Sequence, residues 1–361
     1  MRSTSQSHLK TVPAYSRRSV SGALVVAGFL TASGWALFSQ PLVRTAGTQL
    51  TGTSSAPSST ALSVERIDDQ LVVRIGNRTF TSYRFGRGQK YPYFYPVNGP
   101  LSGESLTTES SQPYPHHRSL FFGCDKVNGG NYWQEGNELG QIISQGPTIT
   151  LNGPDVAEFR DLCSWRQPGR EPVIEESRTI RITAPGAAIR LIDFSTTLVA
   201  LVPIKIEKTN HSLFAARMRP ELSALQGGVL VNAEGALGEK GTAGVASPWA
   251  DYSGTLFGQK EGLAIFDSPR NPWFPSRWFT REYGFFSPTP FNWLDEKGVQ
   301  LRTGESLRLQ YRTVVHAGDA SAAGIAELYR RWAGEQAGAA GSFQPPRSAG
   351  KPRIPRDLLP W

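Results

Sequence analysis

From Leu62 onward the chain reads as short apolar runs separated by turn residues, a pattern of strands. Leu71-Val72-Val73-Arg74-Ile75 meets Gly76-Asn77 and resumes as Thr79 to Phe85, which predicts a hairpin with a Gly-Asn turn. Arg178 to Ile182 alternates at period two. Ala188 to Leu201 does so more loosely, and Leu307 to Val315 forms a long alternating run. Only Ser321 to Ala333 reads as helix, with Ile325, Leu328, Tyr329 and Trp332 at i, i+3, i+4 and i+7. No internal repeat at a fixed period is visible.

Strand upon strand without intervening helices predicts packed antiparallel sheets. Residues 62–333 are too many for an immunoglobulin-like sandwich. The expectation is therefore all-β: a large twisted two-sheet antiparallel sandwich of the galactose-mutarotase type with one C-terminal helix. A pair of jelly rolls is the alternative. The 37 glycines and 26 prolines suit many turns around such a core.

The ends differ from the body. Arg17-Arg18 precedes an apolar run from Gly22 to Phe38, so residues 1–44 read as a signal or anchor segment. The Arg-Arg pair points to the twin-arginine route, with an ordinary signal or a single anchor helix as the alternative. The expected location is exported, periplasmic or membrane-anchored, with the membrane reached through this segment if it is not cleaved. Residues 45–61 have the Ser, Thr, Gly and Pro content of a linker, and residues 334–361 read as a disordered tail.

Charge narrows the function. The net charge is +8, but residues 1–61 carry five basic residues and no acid, and residues 334–361 carry four basic and two acidic ones. The part between is left with +1, too little for a surface that displaces phosphate counterions, so no nucleic-acid partner is expected. Cys124 and Cys163 could pair in an oxidising compartment or remain two separate buried thiols. No nucleotide loop, no Gly-x-Ser-x-Gly elbow and no clear metal spacing is present, and neither a cofactor nor a metal is expected. A metal between His117, His211 and a carboxylate would need the fold to bring them together.

Three clusters carry candidate chemistry. The first runs from Tyr91 to Trp133 and holds His116, His117, Arg118 and Asn128. On an extended segment His116 and His117 would point to opposite faces, leaving one to meet a pocket as a proton carrier. The second lies around Lys208-Thr209-Asn210-His211 and Arg217, whose planar fork suits a hydroxyl pair or a carboxylate. The third is the Pro-rich segment from Asp267 to Gly284, with Asn271, Arg281, Glu282 and Tyr283. Its Tyr and Trp rings suit the apolar faces of sugars.

At these clusters the sequence resembles a bacterial family that carries the name methane oxygenase PmoA. The likeness runs from Ile67 to Trp332. It rests on Tyr91-Pro92-Tyr93-Phe94-Tyr95-Pro96, Pro115-His116-His117-Arg118, Val127-Asn128-Gly129 with Trp133, Asp251-Tyr252-Ser253-Gly254, Pro269-Arg270-Asn271-Pro272, Trp278 to Gly284 and Pro290-Phe291. The name is not the function: the membrane methane monooxygenase spans the bilayer many times, and this chain has one apolar segment. The resemblance implies a mutarotase-like sandwich and a carbohydrate ligand, with His116, His117, Arg118, Asn128, Trp133, Asn271, Arg281 and Tyr283 as pocket candidates. Phe279 stands where the family usually has His, and Asn292 where it commonly has Gly.

Two functions follow. One is an extracytoplasmic carbohydrate-active enzyme using acid–base chemistry on a glycoside or modified sugar. His117, His116 and Glu282 would act as catalytic groups. Arg118, Asn128, Trp133, Arg217, Asp267, Asn271, Arg281 and Tyr283 would bind substrate. The other is a non-catalytic carbohydrate-binding or envelope protein.

Overall fold

The computed structural model describes residues 61–340 except Glu135. The segment read as a signal or anchor, almost all of the expected linker and the tail beyond residue 340 lie outside the described residues. Among the described residues no helix is long and apolar enough to cross a membrane.

Two antiparallel sheets make the fold. The eight-stranded sheet runs, in spatial order, Leu62–Ile67, Gln70–Ile75, Arg78–Arg84, Tyr93–Val97, Leu120–Cys124, Ser212–Arg217, Phe285–Pro288 and Trp278–Arg281. The nine-stranded sheet runs Val229–Asn232, Trp249–Leu256, Gln259–Asp267, Ser306–Ala317, Ile189–Ala200, Ile174–Gly186, Val156–Arg166 and Gln141–Ser144, with Thr148–Gly153 also paired to Val156–Arg166. Ile204–Ile206 and Val299–Leu301 form a small third sheet.

The alternation read from the sequence is what places the core. In Val156–Arg166 every second residue, from Ala157 to Trp165, is buried, and Ile174–Gly186 repeats the pattern. Rings from the two sheets meet between them: Tyr83 on Phe159 at 5.2 Å, Phe122 on Phe194 at 5.5 Å and Phe214 on Tyr311 at 5.0 Å. The expected hairpin forms with Ile75 opposite Arg78, and Gly76 turns the chain at φ +58°. The expected two-sheet antiparallel sandwich is therefore present.

The C-terminal helix, Ile325–Ala340, starts and ends later than its apolar spacing predicts. Its Ile325, Tyr329 and Trp332 pack with Trp249, Phe266 and Val314 on the outer face of the nine-stranded sheet. Cys124 and Cys163 are two free, buried thiols, one in each sheet. Burial pushes both well above the usual thiol range.

Candidate functional site

Strand alternation sorts the residues of the eight-stranded sheet. Phe122 and Phe214 turn inward to Phe194, so Phe121, one residue from Phe122, and Arg217, three residues from Phe214, stand on the opposite, outer face. On that outer face the aromatic, histidine and arginine residues collect.

A turn brings the histidines there. The His117 amide donates to the Tyr114 carbonyl at 3.1 Å, closing Tyr114-Pro115-His116-His117. Pro115 supplies the fixed φ that the second position of such a turn favours. The segment is therefore not extended, and the two imidazoles do not diverge to opposite faces. Their centroids lie 4.5 Å apart, edge to face. The Tyr91 hydroxyl donates to the His116 carbonyl at 2.6 Å and anchors the turn to the sheet.

His117 stacks on Phe285 at 4.3 Å and lies 5.2 Å from the Tyr114 ring. Tyr283 lies 5.1 Å from Tyr114 and covers the Arg217 guanidinium at 4.3 Å. Gly284, at φ +95°, lets the turn after Tyr283 close onto Met218, and this holds the ring over the arginine. Trp133 reaches the cluster because Gly123 has no side chain: a Cβ there would stand 2.7 Å from the Tyr132 carbonyl oxygen. The indole lies 4.7 Å from Phe121 and 6.0 Å from His211.

His211 enters from the loop before Ser212–Arg217, its ring 5.9 Å from His116. The buried Asp125 carboxylate accepts from His211 Nδ1 at 2.8 Å and also from the Thr209 hydroxyl. With Nδ1 donating to Asp125, the lone pair of a neutral ring sits on Nε2. Arg118 lies over Tyr93 at 5.8 Å, with Glu109 4.0 Å away. Glu109 also receives Arg84 and the Tyr93 hydroxyl.

Among the described residues, four nitrogens in this cluster are buried without a hydrogen-bond partner: His117 Nδ1, Trp133 Nε1, and Nε and Nη1 of Arg217. His117 and Arg217 are each 3 % exposed, and Trp133 is fully buried. Burial, then the positive field of His116, Arg217 and His211, pushes the His117 pKa down to about 2, so the imidazole is neutral. Burial raises Tyr283 to about 12, which keeps its hydroxyl protonated.

Not every sequence candidate joins this cluster. His116, His117, Arg118, Trp133, Arg217 and Tyr283 do. Arg281 stands on the same face, stacked on Phe279 at 4.0 Å and paired with Glu239 at 2.9 Å. Glu282 is exposed, and its backbone amide, not its carboxylate, is bonded, to Glu239. Asn128 is exposed and spends both ends of its carboxamide on the backbone of Pro203 and Lys205. Asn271 donates to Asp267 at 2.7 Å and exchanges two bonds with the Gln310 backbone, while the other Asp267 oxygen accepts from the Ser276 amide. Those bonds organise the Pro-rich loop itself. Burial raises Asp267 to about 6. His211, named with the second sequence cluster, joins the site, and Asp125, Tyr114 and Phe285, which sequence reasoning did not single out, complete it. Among the described residues no group of three or more His, Cys, Asp or Glu is placed to hold a metal ion.

Residues 70–330 match DUF6807, a family of unknown function. That span nearly coincides with the resemblance drawn from the motifs, but the match carries no methane-oxygenase name. No curated protein matches the chain. A solved structure from Escherichia coli K12, described as an aldose 1-epimerase, is similar at 11% identity and a TM-score of 0.31, covering 72% of this chain and 99% of that one. A galactose 1-epimerase from Lactobacillus acidophilus NCFM is similar at 10% identity and a TM-score of 0.37, covering 71% and 98%.

Proposed function

The chain belongs to DUF6807, a family of unknown function, and we propose that it takes a carbohydrate on the outer face of the eight-stranded sheet and acts on it by acid–base chemistry. The observation that carries this reading is the set of four buried, unpartnered nitrogens on His117, Trp133 and Arg217. Leaving a buried polar atom unpaired costs about 1–3 kcal/mol, so a fold keeps several together where a ligand satisfies them. Around them the surfaces are ring faces: Tyr114, Tyr283, Phe285 and Trp133. Flat apolar faces with a few fixed donors and acceptors suit a ring that carries hydroxyls on its rim and C–H groups on its faces.

His211 is the proton carrier we assign, because Asp125 fixes its orientation and leaves Nε2 to the ligand. Neutral His117 offers an acceptor or donor to a hydroxyl. Among the described residues, the cluster's carboxylates Asp125 and Glu109 are held in separate hydrogen-bonded sets. Hydrolysis by two opposed carboxylates is therefore less favoured than a proton transfer such as epimerisation, mutarotation or elimination. The engagement of both acids also favours a second reading, a binder that releases its ligand unchanged. We further propose that the protein works outside the cytoplasm. Arg17-Arg18 ahead of the apolar run Gly22 to Phe38 supports this, and fractionation of cells expressing a tagged chain tests it.

The test of function is calorimetry and product analysis of the purified full chain on a panel of mono- and oligosaccharides. The expected result is saturable binding and turnover, with His211→Ala lowering the rate roughly 10²- to 10⁴-fold while binding persists. Binding with no product from any sugar selects the second reading, and neither binding nor turnover removes both.

A further inference from the structure

We propose that the ligand is an acidic sugar, one whose carboxylate pairs with Arg217. This rests on the carbohydrate reading above and specifies the substrate class. Two arginines among the described residues are buried, Arg178 and Arg217. Arg178 has a carboxylate, donating to both Glu176 oxygens at 2.7 and 2.9 Å. Arg217 has none. Its Nε and Nη1 lack any partner, and its one close neighbour of matching character is the Tyr283 ring at 4.3 Å.

A ring over the guanidinium uses its flat face and leaves its in-plane N–H groups free. Tyr283 supplies no negative charge, since its hydroxyl is held protonated at neutral pH. Arg118 and Arg84 both face Glu109, and Asp125 is committed to His211 and Thr209. Among the described residues Arg217 is thus the buried arginine left without an acid. A single planar carboxylate matches one guanidinium in both charge and shape, whereas a phosphate dianion would call for a second free cation.

Calorimetry with the full chain compares glucuronate and galacturonate with glucose and galactose, their methyl esters, the hexose 6-phosphates, and malonate as a carboxylate without a sugar. The expected outcome is that a uronate binds roughly 10- to 100-fold tighter than its neutral parent and its ester. Arg217→Gln should erase that preference, so that the uronate and its neutral parent bind alike, while Arg217→Lys keeps part of it. Equal binding of acidic and neutral sugars overturns the inference and leaves the carbohydrate reading standing, as does a preference for the 6-phosphates. Malonate binding as tightly as the uronate, with no neutral sugar bound, overturns the sugar reading and with it the ligand named here. Binding of nothing in the panel overturns both. The wild-type preference needs no variant to fold, so a misfolded Arg217→Gln cannot mask the answer.

Discussion

Of the two buried arginines, Arg178 projects from the nine-stranded sheet into the core and Arg217 stands on the outer face of the eight-stranded sheet, and their surroundings are nearly opposite. In the core, Arg178 lies 5.7 Å from the Phe122 ring and 5.5 Å from Phe194, with Glu176 held bidentate. The carboxylate of Glu176 also accepts from Trp165 Nε1 and the Thr196 hydroxyl. Asp161 beside it accepts from Tyr83 at 2.7 Å and Ser144 at 2.6 Å. On the outer face Arg217 has the ring but no acid, and His117 and Trp133 around it have nitrogens without partners. Burial alone therefore does not separate structure from function here. Completeness does: one network closes on itself, and the other leaves buried nitrogens without a partner among the described residues.

The sharpest way to break this contrast is to remove one group from each side. Glu176→Ala leaves Arg178 buried and uncompensated, and should cost about 3–5 kcal/mol in denaturant unfolding. Arg217→Met removes a charge that already lacks a partner, so stability should be unchanged or should rise. Equal losses in the two variants would mean that Arg217 is held by the fold itself, and the distinction would fail.

Acid titration sharpens the contrast, because the two regions carry opposite signs. The folded-state pKa of His117, about 2, lies far below the ordinary histidine value near 6.5. Between those values the unfolded chain binds the extra proton, so the contribution of His117 to stability falls as pH falls below about 6.5. The slope for one such group is about 1.4 kcal/mol per pH unit. Burial raises Asp161 above the ordinary carboxylate value. There the folded chain holds the proton longer, so its contribution is present in acid and is lost as pH rises through the folded pKa. His117→Phe should therefore flatten the acid limb of a stability-against-pH profile, and Asp161→Asn should steepen it. A profile for His117→Phe parallel to wild type would show that His117 protonates freely in the folded protein.

Much of the fold was legible in the chain, because burial on one face of a strand writes itself as alternation. Leu307 to Val315 and the Gly76-Asn77 hairpin are instances, and the helix is readable through Ile325, Tyr329 and Trp332. The candidate site was legible only in pieces. His116, His117 and Arg217 stood out as residue types, but the turn closed by Pro115 reversed the geometry expected of the histidine pair. Asp125 and His211 are 86 residues apart, and no local pattern joins them. Asp267 and Asn271 read as chemistry because a polar loop looks the same in sequence whether its bonds go to a ligand or to its own backbone.

Asn128 puts that last distinction to a small, clean test. It sits in the same Tyr91 to Trp133 stretch as His117 and Trp133, yet its bonding is of the completed kind. Its amide donates to the Pro203 carbonyl at 2.9 Å, and its oxygen accepts from the Lys205 amide at 2.8 Å. Its φ of +49° lies in the left-handed region, which Asn tolerates better than most residues. Asn128→Ala loses the two bonds and meets the strained backbone. Because the site is exposed, water replaces part of what is lost, and the expected cost is about 1–2 kcal/mol in thermal or denaturant unfolding. Ligand affinity should stay within about twofold of wild type, a change of under about 0.5 kcal/mol. Asn128→Gly should recover the backbone part of the loss but not the bonds. A large loss of affinity in Asn128→Ala, with stability barely altered, would move this residue to the incomplete side of the comparison and extend the ligand site toward the small third sheet.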